Sequence, residues 1–505
     1  MNKYKENLTM KKTLSLILAA LLLVSSFVSC SEKQNDGADE TTPAADTADT
    51  AASADETAPE EVETDSNVRL WEGKKFDGYA VNILGRQSTT YSIDFDAEEI
   101  TGEIVNDAVY NRNLKVEDEL DITLEYIPHG GDHTQFLQDV NNSVVAADGA
   151  YDIISSYAYY GASLAQDNVL YNLHSVPNMT LTNSWYNQSF VEEMTLFDQL
   201  YFVVGDLTLT ATDRMFITFY NKELAGNWFP GVDLYNLVYE GGWTMDYMNN
   251  LISGIYTDEN GNGKRDGFDT YGFAFNTGSV PTDGFISALR VRVAQKNEEG
   301  IPEITVYNDH ANSAYEKMIA LVYNNDGTGL NFGQNDMFKR ELAVFVMECA
   351  NIAAYGLRDF EPDYGILPLP KYDENQDGYY TTSQDAYNLV SIPKTCMNFE
   401  AVGAALDYLS CLSQEIVYPA YFENNFQKQY MRSEQDSVMF DFIREGLEFN
   451  FGIVYSNCVG NPGWFFRDCV TNNKPMASQY KTKEKVYQKS LGKFVEMLEE
   501  FKDVQ

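Results

Sequence analysis

Residues 258–269 read DENGNGKRDGFD, the stretch with the sharpest chemical spacing in the chain. Side-chain oxygens at Asp258, Asn260 and Asn262, a backbone carbonyl at Lys264, and carboxylates at Asp266 and Asp269 fall on the positions by which an EF-hand-like loop curls around a hard cation. Gly263 stands where that turn is sharpest. The expectation is a structural Ca2+, set against a solvated Asx-rich turn, because the last position is Asp rather than Glu and Arg265 offsets one charge. A second run, DENQDGYYTTSQ from Asp373, lacks acids at its ninth and twelfth places and reads as a turn without metal.

Aromatic side chains are the other signal, with 34 Tyr, 29 Phe and 5 Trp. Flat rings stack on the apolar faces of sugars, while carboxylates and amides bond the hydroxyls. Trp464, in GNPGWFFRD, follows a Gly/Pro-rich loop and suits such a platform. Trp185 and Trp243 are weaker candidates, since a single Trp is more often core. Acids are abundant enough to supply a glycosidase pair anywhere, so they discriminate nothing. There is no nucleophile elbow, HExxH, Walker or dinucleotide glycine motif, and no enzyme is expected. The 4 His show no ligand spacing. Cys458 and Cys469 could bridge a short loop, but buried free thiols are the blander reading.

These residues need elements to hold them. Tyr79–Leu84, Ile122–Tyr126 and Tyr151–Ser155 read as strands, alternating with helical faces that run to Leu120 and to Gly149. That alternation argues for a parallel α/β sheet, whose ligand crevice lies at the carboxyl ends of the strands. Tyr157, Tyr159 and Tyr160 follow the third strand and so fall in that crevice. Residues 199–222, QLYFVVGDLTLTATDRMFITFYNK, read as two extended segments around a threonine-rich middle. We expect them to pass from one domain to another and act as a hinge beside the cleft. Thr244 is placed to cap a helix carrying Met245, Met248 and Ile252, and Asn398 caps another.

The start, MKKTLSLILAALLLVSSFVSC, reads as a secretion signal ending at Cys30, with a lipobox-like approach that makes Cys30 the lipidated residue of a bacterial lipoprotein. Residues 31–66 are acidic, rich in Ala and Thr, and almost without large apolar side chains, so they read as a disordered tether. A net charge of −41 repels phosphate backbones, so nucleic acid is a poor partner and a neutral, polar ligand fits best.

AYDIISSYAYYGASLAQDNVLYNL, then QLYFVVGDLTLTATDRMFITFYNKEL, then WTMDYMNNLI, a DxNxNG loop and YGF together resemble the extracellular solute-binding proteins of ABC importers. Within these the chain is similar to the maltose-binding-like branch (family 1, type II periplasmic-binding-protein fold). The resemblance implies an α/β, two-lobed fold with a mainly parallel sheet in each lobe. Lobe one would be residues 68–208 plus 364–395, and lobe two 212–363 plus 396–505. It also implies a ligand site of Tyr157, Tyr159, Tyr160, Asp206, Thr212, Asp213, Arg214, Asn351, Trp464 and Phe465, to which Trp243 and Asn276 are added from their positions. Trp464 stands where sugar-binding members place a stacking Trp, whereas the tyrosines replace the Trp and charged pair of maltodextrin binders. The implied function is a lipid-anchored receptor on the extracellular face. It would close its lobes on a neutral solute, an oligosaccharide foremost, and deliver it to an ABC permease. The alternative is a cell-surface lipoprotein that hydrolyses or binds glycans.

Overall fold

A computed structural model describes residues 67–88, 90–278, 281–357, 360–422 and 434–502. The stretches read as a secretion signal and a tether, with Cys30, lie outside the described residues. Residues 66–505 form one compact unit.

Twelve strands are described, and they build two sheets and a small hairpin. They are β1 (Tyr79–Arg86), β2 (Ile122–His129), β3 (Ile153–Tyr157), β4 (Phe216–Asn221), β5 (Tyr256–Thr257), β6 (Thr270–Phe275), β7 (Ala294–Lys296), β8 (Pro302–Ile304), β9 (Thr328–Leu330), β10 (Ala343–Cys349), β11 (Tyr364–Leu367) and β12 (Asn388–Ser391). The helices that matter below are α1 (Ile104–Leu120), α2 (His133–Ala146), α3 (Leu209–Asp213), α4 (Met245–Ile252), α5 (Asp309–Tyr323), α6 (Phe399–Leu412), α7 (Glu434–Glu445), α8 (Phe465–Thr471) and α9 (Met476–Phe501).

The first sheet has the order β12–β3–β1–β2. β1 runs parallel to β2 from Tyr79↔Ile122 to Arg86↔His129, and parallel to β3 at Ile83↔Ile153. This is the expected βαβα unit, with α1 and α2 as crossovers and three parallel strands ending on one edge. The second sheet has the order β11–β4–β10–β6–β5, with β9 also paired to β6. It is mixed rather than mainly parallel: β10 and β9 run parallel to β6, but β4 is antiparallel to both β10 and β11. The reason lies in the crossing. β4 enters this sheet from the first lobe and therefore arrives pointing against the local strands.

The hinge has two antiparallel passes. Val203 bridges Val390 in the first lobe, and β4 begins in the second only thirteen residues later. The threonine-rich middle, between the two segments read as extended, forms α3. Its backbone is claimed by a distant carboxylate: Asp94 accepts from Thr210 N (3.0 Å), Thr210 Oγ1 (2.9 Å) and Asn388 Nδ2 (2.7 Å). The return pass lies beside it. Phe216 N donates to Thr382 O at 3.1 Å and Gln384 N to Arg214 O at 2.9 Å, so the two passes are stitched together.

Two segments change lobe relative to the expectation. Residues 364–367, expected in lobe one, form β11 and pair with β4 in the register Tyr364↔Asn221, because β4 offers an open edge there. Helix α6, expected in lobe two, packs on α1 and β1. It is buried on nearly all sides and carries Asp407, which accepts from Trp71 Nε1 (3.1 Å), Trp185 Nε1 (3.3 Å) and Tyr186 Oη (2.8 Å), all first-lobe groups. Both caps hold as expected: Thr244 accepts from Tyr247 N at 3.2 Å and Asn398 from Ala401 N at 3.1 Å. No described helix is long and apolar enough to cross a membrane.

Candidate functional site: an aromatic cleft between the lobes

Arg86, His129 and Tyr157 are the last residues of β1, β2 and β3, so the parallel strands deliver them to one edge. Together with His133, at the start of α2, and Tyr160 they line a cavity of about 220 Å3. His133 stacks on Tyr160 (4.6 Å, 17°) and meets Tyr157 edge-on at 4.6 Å, while Tyr157 and Tyr160 meet edge-on at 5.3 Å. Burial and the nearby Arg86 charge lower the His133 pKa, which keeps the ring neutral near pH 7.

Arg86 is fixed rather than mobile. Its Nη2 donates to Ala386 O at 2.7 Å and its Nε to Asn388 Oδ1 at 3.0 Å, and its guanidinium lies 3.7 Å from the Tyr91 ring centre. Arg214 approaches the same Tyr91 ring at 5.1 Å. One tyrosine thus sits among two cations, an arrangement that uses the ring's negative face. Desolvation pulls the Arg86 pKa down to about 10, so it stays charged at neutral pH.

Tyr159 turns away from this cavity and reaches the other lobe. Its ring stacks on Trp464 (4.8 Å, 15°) and its Oη donates to Asn461 Oδ1 at 2.8 Å. Trp464 also has the Arg467 guanidinium at 5.2 Å, and Arg467 is paired with Asp283 at 2.5 Å. At the hinge, Asp385 accepts from Tyr157 Oη (3.3 Å) and Gln384 Nε2 (2.7 Å). Beside it in the chain's other pass, Asp213 accepts from Tyr421 Oη at 3.0 Å through one oxygen. Its second oxygen, Oδ2, and Arg214 Nε stand 3.9 Å apart, and neither has a hydrogen-bond partner among the described residues. The two form a buried, widely spaced ion pair. Burial pushes the Asp213 pKa up to about 6, so at neutral pH it is an acceptor.

The structure therefore brings together Tyr157, Tyr160, Tyr159, Trp464, Asp213 and Arg214, with Asn351 alongside through its backbone N–H to Asp213 O at 2.9 Å. Five expected residues are elsewhere. Trp243 is fully buried, its Nε1 donating to Pro368 O at 2.9 Å and its ring against Phe345. Phe465 is core, packed on Tyr480 and Tyr487, because α8 turns it inward while Trp464 faces out. Asp206 and Thr212 line a separate cavity of about 260 Å3 with Arg444, which pairs with Asp206 at 2.9 Å. Asn276 follows β6 and caps its own turn, accepting from Gly278 N at 2.8 Å.

Arg86, Tyr91, His133, Asn461, Arg467 and Asp385 are site residues that sequence reasoning missed. The strand-end rule that finds Tyr157 would also have found Arg86, had β1 been carried past Gly85. The free thiols are as the blander reading has them: Cys458 and Cys469 are not bridged.

In the 258–269 loop, Asn262 N and Gly263 N donate to Asp258, while the Asn260 and Asn262 amide nitrogens donate to Asp266. Asp269 is fully buried, and its Oδ1 has no partner among the described residues. No group of three or more His, Cys, Asp or Glu side chains among the described residues is disposed to hold a metal ion. A cation here would have to draw on the Asn side chains and the Lys264 carbonyl besides the acids.

No protein-family model and no curated protein sequence matches the chain. Solved structures do. The chain is similar to the cyclic α-maltosyl-1,6-maltose binding protein from Arthrobacter globiformis, at 12% identity over 83% of this chain and 99% of that one, TM-score 0.53. It is similar to UgpB from Mycobacterium tuberculosis, solved with glycerophosphocholine, at 11% identity over 82% and 98%, TM-score 0.52. It is also similar to MalE from Listeria monocytogenes, solved with maltose, at 14% identity over 84% and 98%, TM-score 0.50. What these proteins share with the chain is the fold. It is the two-lobed periplasmic-binding-protein fold: α/β lobes joined by strands that pass between them.

Proposed function

We propose that this protein is the extracellular receptor of an ABC importer, taking an uncharged carbohydrate into the inter-lobe cleft and handing it to a membrane permease. The observation that carries this reading is the meeting of Tyr159 and Trp464 across the cleft. Parted by a solute, the two rings suit the apolar faces of a pyranose. Closure follows from differential affinity: a solute that touches both lobes favours the closed form by what it gains there over the open one. Two of the three similar structures are named for maltosides, which supports the class of solute, while the third was solved with glycerophosphocholine.

The same reading includes a lipid anchor on Cys30, with the acidic stretch as spacer, and binding without turnover. Isothermal calorimetry against maltodextrins and other neutral oligosaccharides tests it. Saturable binding with no release of reducing sugar supports the receptor. Release of reducing sugar would mark a glycan hydrolase, and binding confined to charged solutes would overturn the carbohydrate reading.

We propose in addition that the 258–269 loop takes a structural Ca2+. The supporting observation is the partnerless, buried Asp269 Oδ1, a costly state for a carboxylate oxygen unless something meets it. Asn260 and Asn262 would turn their side-chain oxygens to the ion in place of the amide groups they now direct at Asp266.

A further inference from the structure

Helix α9 carries a row of lysines that the fold does not use. Lys481, Lys485, Lys489 and Lys493 recur every four residues and all are exposed. Residues so spaced share one face of a helix. The opposite face holds Tyr487, Leu491, Phe494 and Leu498 buried, Phe494 against Phe451 and Tyr455, so the row points outward. None of the four makes an ion pair or hydrogen bond among the described residues, whereas Lys483, off the row, lies 3.9 Å from Asp468.

Helix stability does not account for the row. Like charges four apart disfavour the helix. The termini do not compensate, because the first turn has no acid and the last has no base, while Glu499 and Glu500 stand near the negative end of the helix dipole. The row is also out of keeping with the whole chain, which has 76 Asp and Glu against 35 Lys and Arg. In such a chain an uninterrupted cationic stripe is the exception.

We propose that this face of α9 docks on an anionic lipid surface and sets how the receptor lies on its membrane. Charge complementarity selects the partner, and the tether below an anchored Cys30 supplies the proximity; in that respect the inference rests on the lipoprotein reading, though not on the identity of the solute. Glu484 and Glu496, three residues from Lys481 and Lys493 on the same helix, offset part of the attraction, while acids more than about 8 Å from the surface are screened at physiological salt. Val486, 55% exposed at the edge of the row, offers a small apolar contact to the headgroup region.

The test uses residues 31–505, which keep the compact unit and lack the lipid, so that anchoring does not mask docking. Co-sedimentation is measured with phosphatidylglycerol vesicles, against phosphatidylcholine vesicles, at low and at physiological salt. Each lysine near an anionic bilayer contributes about a factor of five, so changing all four to Gln should cut binding at least about a hundredfold. A control carrying Lys74→Gln, Lys75→Gln, Lys115→Gln and Lys339→Gln makes the same charge change elsewhere and should bind nearly as the parent does. Circular dichroism checks that both variants keep their helix. Equal binding by the row variant and the control overturns the proposal, as does equal binding to the two lipids. Solute calorimetry on the row variant separates this result from the carbohydrate reading, since the cleft is untouched.

Discussion

Trp464 and Trp243 show how differently one residue type can be spent. Trp464 sits in a short turn before α8 and keeps part of its ring open, so Trp464→Ala should weaken carbohydrate binding by about tenfold or more while moving the melting temperature little. Calorimetry beside a melting curve checks both halves. Trp464 was legible because its Gly/Pro-rich approach exposes it. Trp243 was not, because its burial is decided by Pro368 and Phe345, more than a hundred residues away. Asp407 makes a second prediction at this scale. It is buried among Trp71, Trp185 and Tyr186, and burial lifts its pKa to about 6. The folded form therefore holds the proton more tightly than the unfolded one, so stability is full at low pH and is lost as pH rises toward 6. Between about pH 5 and about pH 7.5 the parent should lose on the order of 1 kcal/mol relative to Asp407→Asn. Parallel denaturation curves at the two pH values would contradict this.

At the scale of elements, the βα alternation of the first lobe was readable from period alone, and so were the caps at Thr244 and Asn398. The crossing was half readable. Its two ends show as apolar runs, but α3 forms in the middle because Asp94 takes the Thr210 N–H, a partner 116 residues away that no local pattern announces. Segment 364–367 looked like a first-lobe strand for the same kind of reason: sheet edges choose partners by geometry, not by order. Gly205, at the mouth of the crossing, is required by close approach. A Cβ there would lie 2.1 Å from Trp185 O and 2.9 Å from Tyr186 Cα, both backbone. Gly205→Ala should cost about 1–3 kcal/mol, read from the denaturant midpoint. For the 258–269 loop, millimolar Ca2+ should raise the melting temperature and EDTA should reverse it. Asp269→Asn should remove the response; a melting temperature indifferent to the ion would sink the metal proposal.

For the molecule as a whole, the lobes meet at several places, among them Tyr159 with Trp464, Arg292 with Glu193, and Lys296 with the Thr195 carbonyl at 2.7 Å. Trp464→Ala and Tyr159→Ala remove the same contact from opposite sides. Each should enlarge the ligand-free protein in small-angle scattering, and the double variant should add nothing to either. Additive expansion would mean that the two rings act separately. The two-lobed architecture was visible in the order of segments, but the manner of contact was not, since the rings that meet are 305 positions apart and neither sequence neighbourhood mentions the other.

That contact bears on how an importer would tell a full receptor from an empty one. The chain lays its own phenol on the indole, so a shut outline can arise with no cargo inside. In the importer proposed above, a permease that felt only the outline would hydrolyse nucleotide for nothing. Idle turnover driven by the unloaded receptor should therefore fall in Tyr159→Ala, while turnover at saturating cargo persists.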